Sequence, residues 1–231
     1  MTAPAFHRTV LIEPRDSMVL ASVEDDYHHM RVALHHDGER VTRVEATMIR
    51  APWSTCPGAQ AALCDTFTGM ALADIVATGG KRMHCTHLFD LTLWAAAHVA
   101  DSHDTRYATE VTDPVDGERR LRLMSDTAPA MEWIERDGKL AEPGELAGKS
   151  LFEIREWIAG ESHQVAEKAK ILRWAGILAH GRQIPLARQS DASRMPPNCF
   201  TFQPERAAQA DRVGEIRDFS GLSSHPLDRI N

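Results

Sequence analysis

Short runs in which apolar and polar residues alternate open the chain. Thr9-Val10-Leu11-Ile12 and Ser17-Met18-Val19-Leu20-Ala21 flank Pro14-Arg15-Asp16, and His29–Leu34 puts Met30, Val32 and Leu34 on one face. His36-Asp37-Gly38-Glu39 carries hairpin-turn residues, and Val41–Ile49 returns as a strand. The pattern predicts an antiparallel β-meander of three or more strands. After Pro52 the period becomes helical. Ala59, Ala62, Leu63, Phe67 and Met70 predict a helix ending near Gly69. A short helix follows over 71–77, stopped by Gly79-Gly80, and Leu88, Leu91, Trp94, Ala95, His98 and Val99 mark another.

Arg106–Trp133 reads as strands again, turning at Asp113-Pro114-Val115-Asp116-Gly117. Leu151–His180 predicts a long helix in which Gly160 is the candidate break. From Pro185 onward apolar residues thin out while Pro, Arg, Asp and Ser rise. That predicts an extended C-terminal arm lying on the body or on a second subunit. The order of elements predicts an α+β fold: a single domain over 1–184 with an arm over 185–231.

Composition narrows the function classes. At 231 residues, with 43% hydrophobic and 26% charged residues, the chain has the make-up of a globular protein that buries a sizeable core. A net charge of −7 argues against general nucleic-acid binding. No apolar run is long enough for a membrane span, and Met1-Thr2-Ala3-Pro4 lacks the basic start of a secretory signal. The four cysteines read as thiols of a reducing cytoplasm rather than a disulfide framework. The arm and the tryptophan-bearing helix with Trp157 and Trp174 point to a homodimer.

Twelve histidines change the picture, because eight of them fall between His28 and His103 together with three of the cysteines. Histidine titrates near neutrality and ligates metals. His35, His36 and His103 read as surface residues, His98 as a packed one, Cys64 as a small apolar residue and Cys199 as inert. Cys56 follows a strand and precedes a helix, and Cys85 precedes the next helix with Thr86 as N-cap. A helix start lowers a thiol's pKa. Together with His84 and His87 and a carboxylate, the two thiols form a donor set that zinc or iron would accept.

The order Asp26-Tyr27-His28-His29-Met30-Arg31-Val32, a hairpin, Arg50–Cys56, a helix, then His84-Cys85-x-x-Leu88 is similar to that of the iron–sulfur cluster scaffold (IscU/NifU-type) family. The resemblance implies an IscU-like core and metal ligands at Asp26, Cys56, His84 and Cys85. Glu24 stands where that family has its first cysteine. Residues 7–100 also resemble an uncharacterised bacterial family (DUF2889), through Arg-x-Pro-Trp-x-x-Cys-Pro-Gly-Ala at 50–59 and Cys-Thr-His-Leu-Phe-Asp-Leu at 85–91. That second resemblance implies a place in aromatic-compound catabolism and cofactor-free release of formaldehyde from lignin-derived dimers.

Such a lyase needs a base near neutrality for a primary alcohol. His28, His29, His84 and His87 are the candidates, with Glu24, Asp26 or Asp90 orienting the imidazole. His28 and His29 alternate across the strand, so one of them faces a given site, and His28 is favoured. Arg50 and Tyr27 are candidates for stabilising the leaving oxygen, Cys56 is a further catalytic candidate, and Trp53, with His29 and Glu24, would hold an aromatic substrate. The scheme needs neither nicotinamide nor flavin and no Gly-x-Gly-x-x-Gly or P-loop occurs, so no cofactor is expected, with zinc or iron as the alternative. The other readings are a non-enzymatic metal or iron–sulfur scaffold and a zinc-stabilised binding module.

Overall fold

The computed structural model describes residues 4–126, 128–185, 188–221 and 224–228. Eight strands are β1 (Ala5–Arg15), β2 (Met18–Asp25), β3 (His29–His36), β4 (Val41–Arg50), β5 (Thr105–Thr112), β6 (Glu118–Ser125), β7 (Ala128–Arg136) and β8 (Lys139–Glu142). Their hydrogen-bonding order is β4-β3-β2-β1-β5-β6-β7-β8. Within β1–β4 and within β5–β8, strands adjacent in sequence are adjacent in the sheet, and the pairs β2–β3, β3–β4, β5–β6, β6–β7 and β7–β8 are antiparallel. The helices are α1 (Ala59–Phe67), α2 (Leu72–Ile75), α3 (Thr86–Ala97), α4 (Arg155–Gly160), α5 (His163–Ala179) and α6 (Pro204–Ala207).

The chain forms two compact units. One comprises Val10–Thr105 with Leu186–Arg217, the other Met1–Thr9, Arg106–Pro185 and Asp218–Asn231. In the first, α3 packs on β2 and β3, and α1 packs on β4. Leu63, Phe67, Leu88, Phe89 and Leu91 supply the helical side of this core, and Val19, Ala21, Val23, Met30, Val32 and Leu34 the sheet side. Burial of these apolar side chains is the main stabilising term, at roughly 25 cal/mol for each Å² removed from water. The Asp37 carboxylate accepts from the backbone N–H groups of Glu39 and Arg40, at 2.9 and 2.7 Å, and so closes the β3–β4 turn. His36, expected at the surface, is buried, because strand alternation continues the face of Met30, Val32 and Leu34 one step further.

In the second unit α5 packs on β6 and β7. Gly176 permits the approach: a Cβ there would come within 2.5 Å of Leu121 and 2.7 Å of Leu151. Arg119 and Glu135 face each other across β6 and β7 as a buried bidentate pair at 2.8 and 2.9 Å. The expected long helix is two helices, because the chain turns extended at Glu161 after Gly160 and α5 starts afresh behind Ser162.

The segment expected as an extended arm carries a 3-10 turn over Ala192–Arg194 and the short α6, and residues up to Arg217 fold onto their own chain. Phe200 N–H donates to His84 O at 2.9 Å and Val213 N–H to Pro52 O at 2.9 Å. Among the described residues no helix is long and apolar enough to cross a membrane.

Candidate functional site

The tight loop between β2 and β3 builds the site. Asp25 is fully buried at the end of β2, and its Oδ1 accepts from Tyr27 N–H and His28 N–H, both at 2.8 Å. The same oxygen meets His28 Nδ1 at 2.9 Å. A carboxylate oxygen accepts, so this contact selects the tautomer with the hydrogen on Nδ1, which in a neutral ring leaves the lone pair on Nε2. His87 enters from the first turn of α3, and its ring lies on that of His28 with centroids 4.0 Å apart and 30° between planes. Ligand atoms of Asp25, His28 and His87 all lie within 4.8 Å of one another.

Arg50, at the end of β4, holds this loop in shape. Its Nη1 donates to Asp26 O at 2.6 Å, and its Nη2 to Asp25 O at 2.6 Å and to Glu24 Oε1 at 3.2 Å. Charge-assisted bonds to these carbonyls, in a loop that is itself buried, stabilise its shape. The guanidinium expected to face a leaving oxygen is therefore taken up by the loop itself. Glu24 also lies 3.5 Å from His29 Nδ1 and 3.4 Å from Arg217 Nη1. Burial holds His29 below the ordinary histidine pKa; Glu24 opposes that shift, while Arg50 and Arg217 add to it.

Other expectations are corrected. The carboxylate that orients His28 belongs to Asp25, not to Glu24, Asp26 or Asp90. Asp26 offers its carbonyl oxygen to Arg50 and to Arg217 N–H, and Asp90 pairs with Lys81 at 2.6 Å. Trp53, expected to stack on substrate, is buried with Ala192 and Ala207 and meets Phe202 edge to face at 5.8 Å. It anchors the C-terminal segment. Cys56 begins only a three-residue 3-10 turn, and burial pushes its thiol up, against the weaker effect of a hydrogen bond from Thr201 at 3.3 Å. Cys85, rather than Thr86, is the N-cap of α3, and burial pushes its thiol up to about 12. Desolvation outweighs the helix start in both cases.

His84 packs against Phe67 and Phe89, with ring centroids 6.3 and 5.5 Å away. Its Nδ1 is buried without a hydrogen-bond partner among the described residues, and burial lowers its pKa. Cys199 belongs to the same neighbourhood, since the Cys56 and Cys199 sulfurs both act on Cys85. Yet among the described residues the set Asp26, Cys56, His84 and Cys85 does not converge within ligand reach; Asp25, His28 and His87 do. Sequence reasoning passed over Asp25 and over Arg212, whose guanidinium lies 5.8 Å from the Tyr27 ring and 5.4 Å from the Trp53 ring.

Residues 10–100 match DUF2889, a family described as a protein of unknown function. The DUF2889 match contains Asp25, His28, Arg50, His84 and His87, whereas Cys199, Thr201, Arg212 and Arg217 lie beyond it. Neither a curated protein nor a solved structure matches the chain. The likeness to iron–sulfur scaffolds rests on motif order alone.

Proposed function

We propose that this protein is a cytoplasmic lyase for a small aromatic alcohol, cleaving a C–C bond and releasing formaldehyde without a cofactor. The observation that supports this reading is the buried Asp25–His28 pair, which presents Nε2 as a base beside a second imidazole. His28 takes the hydroxyl proton of an Ar–CH(X)–CH(CH2OH)–Ar′ substrate. The alkoxide becomes the carbonyl of formaldehyde as the C–C bond breaks. The released electron pair forms the Ar–CH=CH–Ar′ double bond and expels X, an oxygen leaving group, which His87 protonates. The products are the alkene, formaldehyde and HX, so atoms balance and nothing is oxidised overall. Lignin-derived dimers have this arrangement of groups.

A second reading is favoured by the 4.8 Å clustering of Asp25, His28 and His87 donors: a metal-binding protein, with zinc or iron on two imidazoles and one carboxylate. A bound metal would supply Lewis acidity. One preparation separates the readings. Formaldehyde release from such an alcohol that survives chelator treatment and disappears in His28→Ala is the expected result. Stoichiometric metal that is lost in His87→Ala, with no formaldehyde released, would overturn the lyase in favour of the metal centre.

A further inference from the structure

Residues 211–217 form a strap over the loops that carry the site. Ser54 N–H donates to Asp211 O at 3.0 Å, Trp53 and Arg212 form a β-bridge, and Arg217 N–H donates to Asp26 O at 2.9 Å. Gly214 lets the strap lie close: its φ is +84°, and a Cβ would come within 2.5 Å of Ala51 O. The backbone of Arg212 is thus fixed from both sides.

Its side chain differs from the other partly buried arginines. Arg50 holds Glu24 and two carbonyls, Arg119 holds Glu135, and Arg182 holds Asp113 and Asp218. Among the described residues, the half-buried Arg212 guanidinium has neither a carboxylate nor a hydrogen-bond acceptor; its neighbours are the faces of Tyr27 and Trp53. Burial disfavours its charge, which Tyr27 and the Cys56 thiol offset only in part. A partly desolvated cation with five donors and no anion is arranged to receive one. The buried rings of Tyr27 and Trp53 make the wall behind that cation apolar, which suits an anion carried on an aryl group. Tyr27 in turn meets His28 edge to face at 6.2 Å, so the cation stands one ring away from the imidazole pair. Near neutrality an aryl acid is charged, whereas a phenol, with a pKa of about 10, is not.

We infer that Arg212 binds the carboxylate of an aromatic acid and that the substrate of the His28 site carries one. The second clause rests on the lyase reading; the first does not. Calorimetric titration of the full chain at pH 7 with 3-phenylpropionate and with its uncharged amide tests the anion site. The wild type is expected to bind the acid at least tenfold more tightly than the amide. Arg212→Gln should abolish that preference while leaving the amide unchanged, and Arg212→Lys should keep part of it. Equal binding of acid and amide, absence of binding, or a preference that survives in Arg212→Gln would overturn the inference. Carboxylate preference without formaldehyde release would remove the lyase and leave the anion site. Release from carboxylated and neutral alcohols at the same kcat/KM would overturn the carboxylate on the substrate and leave the lyase.

Discussion

His28 lies against His87 ring on ring, 4.0 Å between centroids, while its other edge is tied to Asp25 at 2.9 Å. The carboxylate fixes which nitrogen holds the hydrogen, and the stack fixes where the free one points. Asp25→Asn keeps an acceptor oxygen for the two backbone N–H groups but no longer requires a hydrogen on Nδ1. It is expected to lower kcat/KM for formaldehyde release roughly 10²- to 10⁴-fold, the span of general acid–base catalysis, with the fold retained. Nitrogen NMR of the histidines gives a readout independent of turnover: the His28 tautomer shifts in Asp25→Asn. An unchanged tautomer and unchanged activity would refute the role.

The Arg119–Glu135 pair tests packing away from that site. Both side chains are nearly inaccessible, and Arg119 also donates to Gly176 O at 3.0 Å and approaches His180 Nε2 at 2.9 Å. Removing one member leaves a buried charge alone, so Glu135→Ala or Arg119→Met should cost about 3–5 kcal/mol in denaturant melts. The double variant should cost less than the two single changes together. Strict additivity would contradict the pairing.

Strand periodicity made the β-meander readable, because period two survives in β3, β4 and β6 whatever packs on them. It also contained the burial of His36, for anyone who extended the face of Met30, Val32 and Leu34 by two residues. The helical punctuation at Gly69 and Gly80 was readable for the same local reason. The site was only half legible. His28, His87 and Arg50 stand out by residue type, but adjacent carboxylates at 25 and 26 differ only in which one the loop turns inward. Arg212 was invisible, since its meaning comes from contacts with Tyr27 and Trp53 some 160 and more positions earlier in the chain. The thiols misled because a helix start is local and written in sequence, whereas desolvation is tertiary.

That inversion makes the cysteines measurable. With its thiol pushed up to about 12 by burial, Cys85 has almost no thiolate at pH 8. Iodoacetamide on the native protein at that pH should leave Cys85 unmodified in peptide mass spectra, and denaturation should expose it. Rapid native labelling of Cys85 would show that desolvation does not govern it.

His84 predicts an acid limit to stability. Its folded pKa lies below the ordinary value of about 6.5, so the unfolded chain binds the proton more readily. Its contribution is complete above about 6.5 and is lost as pH falls through the folded pKa. His29 and His180, also lowered by burial, act in the same sense. Unfolding free energy should therefore decline from pH 7 to pH 5. His84→Leu should make the decline shallower, by at most about 1.4 kcal/mol per pH unit. An identical slope in the variant would show that His84 is not titrating on unfolding.

The strap offers a test with its own control. Gly214 and Gly38 both have positive φ, +84° and +98°, yet a Cβ at Gly38 meets nothing within 4 Å while one at Gly214 runs into Ala51 O at 2.5 Å. Alanine at position 38 incurs only the left-handed strain, about 1–2 kcal/mol. Alanine at position 214 adds a backbone clash, for which overpacking gives roughly 1–3 kcal/mol more unless the strap lifts. Lifting would break the Val213–Pro52 and Arg217–Asp26 hydrogen bonds and carry Arg212 off the Tyr27 and Trp53 rings. Gly214→Ala should therefore lose carboxylate preference as well as stability, whereas Gly38→Ala loses stability alone. Denaturant melts and acid-versus-amide titrations on the two variants read both effects, and equal behaviour of the pair would mean that the strap does not position the cation.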